Sequence, residues 1–171
     1  MIIRSRSLKK TSWKNGGGLT TEITRSGGDD FSWRVSFAEI AKDSAFSAFA
    51  GYDRALVIWK GNGIRLGGVD HLPFEPFYFS GDLVQESQLI EGPVVDLGVI
   101  YRRAEWRADM RVITSVADVI RGETNLLFVT NGELEVGHER LVPQDTFVFS
   151  KVSALSASQD FRAIAIGLIK K

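Results

Sequence analysis

Several polar side chains in this chain have the types and spacing to hold a small anion. Trp13-Lys14-Asn15 runs directly into Gly16-Gly17-Gly18, setting an aromatic ring, a positive charge and an amide beside bare backbone. Glycines let a backbone approach a ligand closely; the alternative is a flexible turn before a hairpin. The run lacks the Gly-Lys-Ser/Thr ending of a phosphate loop and leads into a strand pattern rather than a helix. Glu22, Arg34 and Ser36 lie on the polar faces of alternating segments, and Asp96, Gly98 and Arg102 share a face of another. In an open sheet such a face meets water, whereas in a barrel it lines the interior. An arginine there suits a carboxylate, because its planar fork engages both oxygens. Arg54 opens an apolar run and is a candidate partner for Glu22, Asp82 or Asp96. Internal ion pairs that fix strand register are the competing use of these charges.

Other chemistries are poorly supplied. The chain has no cysteine and two histidines, His71 and His138, neither with a second histidine at ligand spacing. Two isolated histidines are too few to fill the ligand set of a transition-metal site, so no metal and no cofactor is expected. No ligand-dense calcium loop and no Gly-x-Ser-x-Gly elbow is present. Glu22 and Asp96 are of a type for acid–base work, but the sequence does not give their separation, and no catalytic residue is assigned. Lys plus Arg and Asp plus Glu both total 21. This balance argues against nucleic acid and an anionic membrane surface as partners. No stretch approaches about 18 apolar residues, and the first residues do not read as a signal peptide. With the lack of cysteine, the expected location is the cytoplasm.

The elements that must position these residues have a period of two. From Phe31 to Ile40, Trp33, Val35 and Phe37 share one face, and Arg34, Ser36 and Ala38 the other. Leu19 to Arg25 alternates in the same way, and Ser26-Gly27-Gly28-Asp29-Asp30 joins the two as a hairpin turn. Further short strands are expected at 55–60, 63–66, 77–79, 84–89, 94–102, 111–114, 125–129, 133–136, 140–142, 146–149 and 161–169. Helical signal is confined to Val116–Arg121 and Glu39–Ser44. Many short strands with glycine-rich turns argue for a sandwich or barrel.

An internal repeat supports two such barrels. Leu56-Val57-Ile58-Trp59-Lys60-Gly61 resembles Leu127-Phe128-Val129-Thr130-Asn131-Gly132, and each is followed by a second strand. The sequence pairs the later turns Phe79-Ser80-Gly81-Asp82 and Val142-Pro143-Gln144-Asp145. The predicted fold is all-β, a pair of jelly-roll-like barrels with halves at 1–103 and 104–171 and strands exchanged between them.

Three segments are similar to the HutD/Ves family: Trp13–Gly18 with Thr21-Glu22-Ile23, Phe31–Ile40, and Phe46–Arg54. Phe79–Asp82 and Asp96-Leu97-Gly98 with Arg102 add weaker matches, while the family usually has Asn at Gly98 and Pro at Ala50. The resemblance implies a double cupin with a link to histidine utilisation or a stress response, and a ligand such as formylglutamate. On this basis the ligand-binding set is Trp13, Lys14, Asn15, Glu22, Arg34, Ser36, Arg54, Asp96 and Arg102, and the partner is a small carboxylated metabolite. The rival functions are a metal-independent isomerase or hydrolase and a protein–protein adaptor without a small ligand. A homodimer through edge strands is compatible with the pattern.

Overall fold

The computed structural model describes residues 1–119, 122–151 and 154–171. The chain divides into two units, one of Lys9–Trp106 and one of Met1–Leu8 with Arg107–Lys171. In chain order the strands are β1 (Ile2–Ile3), β2 (Lys10–Ser12), β3 (Gly18–Arg25), β4 (Trp33–Ile40), β5 (Ser44–Phe46) and β6 (Tyr52–Lys60). There follow β7 (Ile64–Leu66), β8 (Val69–His71), β9 (Phe77–Ser80), β10 (Gln85–Leu89), β11 (Val94–Arg102) and β12 (Trp106–Ile113). The last six are β13 (Thr124–Asn131), β14 (Leu134–Val136), β15 (Glu139–Leu141), β16 (Thr146–Phe149), β17 (Leu155–Ala157) and β18 (Arg162–Lys170).

The unit Lys9–Trp106 has two antiparallel sheets, ordered β2-β3-β4-β11-β6-β9 and β5-β10-β7-β8. Alternation decides what fills the space between them. Ala38 and Ile40 of β4, Leu56 and Ile58 of β6 and Val94 of β11 meet Phe46, Ile64 and Leu66 from the smaller sheet in one buried cluster. At roughly 20–33 cal/mol per Å² of apolar surface, each of these side chains larger than alanine contributes about 1.5–3 kcal/mol. The opposite faces of β4 and β11 are also apolar and buried, through Trp33, Val35 and Phe37 and through Leu97, Val99 and Tyr101.

Register sets the inner face out in rows. Arg34 of β4 pairs with Ile100 of β11, which pairs with Arg54 of β6. Two residues along, Ser36, Gly98 and Leu56 align; two further, Ala38, Asp96 and Ile58. On β3 the expected phase breaks. A bulge between Glu22 and Thr24 leaves Ile23 unmatched, so Glu22 lies opposite Ser36 and Arg25 opposite Arg34. One extra residue in a strand moves everything after it to the other face.

The unit formed by residues 1–8 and 107–171 has sheets ordered β1-β16-β13-β18-β12 and β15-β14-β17. Its interior is filled by side chains that include Leu127, Leu134, Phe147, Phe149 and Phe161. β1 joins this unit through Ile2 opposite Phe147 and Ile3 opposite Thr146. Arg4 Nη1 and the Ser5 amide donate to the two oxygens of Asp145, at 2.9 and 3.0 Å.

The repeat is structural, with one correction. Phe74 and Gln144 are the two non-glycine residues of positive φ among those described. Their amides donate at 2.7 Å to Ile58 O and Val129 O, the matching positions of β6 and β13. The counterpart of Val142–Asp145 is therefore Leu72–Glu75, not Phe79–Asp82. Asp82 lies past β9, where it accepts from the Gly51 amide and pairs with Arg103. The helical expectations also change. Glu39 and Ile40 end β4 and Ser44 begins β5; Val116–Asp118 is one 3-10 turn, and residues 120 and 121 lie outside those described.

Candidate functional site

A cavity of about 820 Å³ opens inside the unit Lys9–Trp106, above its apolar cluster. Strands β3, β4, β6 and β11 form one wall, and the segments Thr11–Asn15 and Ala45–Phe49 complete it. Four basic side chains (Lys14, Arg25, Arg34, Arg54) and two carboxyls (Glu22, Asp96) line it. The whole chain is neutral, so the excess of positive charge is local.

Arg34 and Arg54 dominate the chemistry. Arg34 makes no hydrogen bond or ion pair among the described residues, and its Nε is buried without a partner. Its guanidinium lies over the rings of Phe31 and Phe49, at 5.0 and 5.4 Å. Burial lowers its pKa, the charge of Glu22 opposes that, and Arg25 adds to it. Arg54 is 8% exposed. It gives one hydrogen bond, to Ser47 O, and lies over the rings of Phe46, Phe49 and Phe79. Burial pushes its pKa down to about 10, against the pull of Asp96 and helped by repulsion from Arg34. Both groups remain cations at neutral pH. Aromatic faces partly compensate a buried cation, by about 0.5–2 kcal/mol per contact. They leave the N–H donors unmatched, and unmatched buried donors favour an incoming anion.

Asp96 is 3% exposed. Its Oδ1 accepts the Ala38 amide at 3.0 Å, across the β4–β11 pair. Burial pushes its pKa up to about 7, opposed by that amide and by the charge of Arg54. No ion pair joins it to Arg54. Glu22 is held by Arg25 Nε at 2.7 Å.

The glycine-rich segment is more tightly built than a flexible turn. A Cβ on Gly17 would fall 2.3 Å from Ser44 Oγ, and one on Gly18 would fall 2.5 Å from Glu39 O and 3.3 Å from the Trp13 ring. The missing side chains thus let the segment pack on its own unit. Asn15 Oδ1 accepts the Gly17 amide at 2.9 Å, and Trp13 Nε1 donates to Thr20 Oγ1 at 2.7 Å. Trp13, Lys14 and Asn15 still line the cavity, as do Glu22, Arg34, Ser36, Arg54 and Asp96.

Arg102 is not brought to the cavity. At the end of β11 it pairs with Asp30 and Glu105 and donates to Tyr52 Oη at 3.1 Å. Those contacts raise its pKa. Strand alternation places Arg102 in phase with Asp96 and Gly98, but by that point the strand has run past the cavity. Arg25 and Phe49 are among the cavity residues that escaped the sequence reading. Arg25 enters because of the bulge at Ile23. Phe49 comes from the loop before β6; its signal was its place in the Phe46–Arg54 segment.

The metal donors common in cupins are not assembled. His71 ends β8 and stacks on Phe77 at 3.8 Å, and His138 sits in the turn between β14 and β15. No three His, Asp or Glu converge among the described residues. The donor set does not fit a cupin metal centre. No helix among the described residues is long and apolar enough to cross a membrane.

The sequence profile of HutD matches residues 5–165. The chain belongs to the HutD family. An uncharacterized 21.2 kDa protein from the hutC 3′ region of Pseudomonas putida is 36% identical over 144 residues, covering 79% of this chain and 76% of that one. Protein Ves of Citrobacter koseri is 32% identical over 148 residues, 80% and 75% of the two chains. The structure of HutD from Pseudomonas fluorescens SBW25 superposes with a TM-score of 0.82 at 31% identity, covering 100% of this chain and 98% of that one. A cupin 2 conserved barrel domain protein from Leptotrichia buccalis shares the fold alone, with a TM-score of 0.55 at 12% identity and coverage of 98% and 96%. This HutD family member is thus an all-β, cupin-like protein related to histidine utilisation.

Proposed function

We propose that the unit Lys9–Trp106 binds a small carboxylated metabolite such as formylglutamate in the cytoplasm, and that its occupancy modulates histidine utilisation or a stress response. One observation carries this reading. Two guanidinium groups, one without a polar partner and the other with a single carbonyl among the described residues, flank Phe49 in a cavity of about 820 Å³. Small-ligand pockets of roughly 300–1,000 Å³ have this build, apolar walls with a few convergent polar groups. Lys14 adds long-range attraction, and Trp13 an aromatic wall. The open cavity speaks against an adaptor that takes no ligand.

Isothermal calorimetry of the metal-free protein against formylglutamate, glutamate, urocanate and histidine tests it. Saturable binding of a carboxylate, lost in a folded Arg34→Ala variant, is expected. No response to any of the four overturns the reading.

The second reading, a metal-independent isomerase or hydrolase, is supported by Asp96 alone, since a carboxyl that titrates near neutrality can both take and give a proton. Turnover of a bound carboxylate by chelator-treated protein, abolished in Asp96→Asn, would establish it; binding without turnover would remove it.

A further inference from the structure

The carboxyl of Asp96 shares a cavity with two buried cations and is paired with neither. It is 3% exposed and takes the Ala38 amide on Oδ1. In register it stands between Ala38 of β4 and Ile58 of β6, both apolar. The smaller sheet adds Phe46, Ile64 and Leu66 to the cluster that contains those two. Burial among such neighbours disfavours the ionised form, and the pKa stands at about 7.

The charged groups that face Asp96 are those lining the cavity. β6 supplies Arg54, β4 Arg34, and β3 Glu22 and Arg25. The segment Thr11–Asn15 supplies Lys14, Ala45–Phe49 supplies none, and no histidine lines the cavity among the described residues. Glu22 is taken by Arg25. The charge felt at Asp96 is that of Arg54.

Three rows of the sheet set its distance from the arginines. Arg34 and Arg54 flank Ile100, and Asp96 lies four residues back along β11. The strand rise makes that separation roughly 13 Å between backbones, and long arginine side chains shorten it. Between the two stands Gly98. A Cβ there would meet only Leu56 and Ala55 O, at 3.6 to 3.9 Å, so the row between the cations and the carboxyl is a notch.

An anion at Arg34 and Arg54 changes the field at Asp96 in one direction. It cancels the pull of Arg54, which favours the carboxylate, and it adds a negative charge within the same cavity. At a separation on the order of 10 Å and an effective dielectric of about 20, one such charge raises an acid's pKa by about one. Asp96 then keeps its proton over a range where the empty site has released it. Coupling between two bound species is reciprocal, so the proton favours the anion as much as the anion favours the proton.

We infer that the cavity takes up an anion and a proton together, with Asp96 as the seat of the proton, so that ligand is loaded as pH falls through neutrality and released as it rises. This rests on the carboxylate-binding reading above and adds a regulation to it.

Calorimetry with glutarate tests it, since that dicarboxylate is ionised from about pH 6.5 to about pH 8.5. Arg54, at about 10, stays charged there too. Wild-type affinity is expected to fall roughly sixfold across that range. Titrations near neutrality in two buffers of different ionisation enthalpy should show about half a proton taken up per glutarate. In Asp96→Asn the affinity ratio between the two pH values should be about one, and the uptake should vanish. Equal wild-type affinity at both pH values, with no dependence on buffer, overturns the inference and leaves the carboxylate reading standing. Uptake that persists in Asp96→Asn does the same. No saturable binding at either pH overturns both. Where Asp96→Asn does not fold, the wild type decides by NMR of isotope-labelled aspartate carboxyls. One resonance should titrate near neutrality, and saturating glutarate should raise its midpoint by about one pH unit; a midpoint that glutarate leaves in place overturns the inference.

Discussion

Arg34 and Arg54 share one aromatic ring: their guanidinium carbons lie 5.4 and 5.2 Å from the centroid of Phe49. Two like charges held beside one ring, without a carboxylate paired to either, repel each other. Strand pairing keeps them there, each opposite Ile100 in register. An anion between them would relieve the repulsion and use their free donors. Arg34→Ala is therefore expected to weaken carboxylate binding by about 2–4 kcal/mol, read by calorimetry. Arg34→Lys should recover little of it, since a point charge does not reproduce the fork. Unchanged affinity in a folded variant would remove Arg34 from the site.

The carboxyl of Asp96 ties stability to pH. Its pKa in the folded protein is about 7, above the ordinary 3.8. Between those values the native state holds a proton that the unfolded chain has released. Its contribution is fullest below about pH 4, is lost as pH rises towards 7, and is constant above. Asp96→Asn should abolish this slope, so the variant gains on the wild type by up to about 4 kcal/mol between pH 4 and 8. Thermal melts across that range check it. A constant difference between the two proteins would show that Asp96 titrates normally.

Gly98 tests whether the notch belongs to the site. Gly98→Val has room at Cβ and suits a strand. The variant should melt within a few degrees of the wild type and bind carboxylates at least about tenfold more weakly, about 1.4 kcal/mol. Full affinity in the folded variant would mean that ligands stop short of the Asp96 end.

Arg102 should behave as an anchor. It ties Asp30, Tyr52 and Glu105 at the end of β11. Arg102→Ala is expected to leave ligand affinity within about twofold and to lower stability by about 1 kcal/mol or less, as exposed ion pairs do. A large loss of affinity would restore it to the binding set.

The N-terminal segment should matter to the unit that contains it. Asp145 is sealed by Arg4 Nη1 and by the amides of Ser5 and Val142. Arg4→Ala leaves a carboxylate with one partner fewer and should cost about 1–3 kcal/mol, seen as a lower denaturant midpoint. An unaltered midpoint would mark the contact as incidental.

Much of this was legible in the sequence because strand alternation is a local property. Trp33, Val35 and Phe37 were readable as one face and Arg34 and Ser36 as the other, and the structure has them so. The hairpin of β3 and β4 and the long strands β6, β11, β13 and β18 lie close to where the pattern puts them. Strands of two or three residues, such as β1, β2, β5 and β8, carry too few positions to show a period. The bulge at Ile23 has no local signature, so strict alternation gives no reason to place Arg25 on the face of Glu22. The match of Val142–Asp145 with Leu72–Glu75 depends on two positive φ angles at Phe74 and Gln144, where neither residue is a glycine.

The sequence by itself determined the class of the fold, the face of each long strand and the chemical inventory, with cationic forks abundant and metal donors scarce. Those follow from residue type and from a period of two, which neighbouring residues express without reference to the rest of the chain. Only the tertiary structure decided which charges are spent and which are left over. Arg102, Arg54 and Arg34 look alike in sequence, yet one is paired on the surface, one is buried under three rings and one is without a polar partner among the described residues. The carboxyls divide in the same way, Glu22 taken by Arg25 and Asp96 left near neutrality. Pairing and burial are set by residues far apart in the chain, and electrostatics depends on distance and solvent exposure, neither of which a linear pattern encodes.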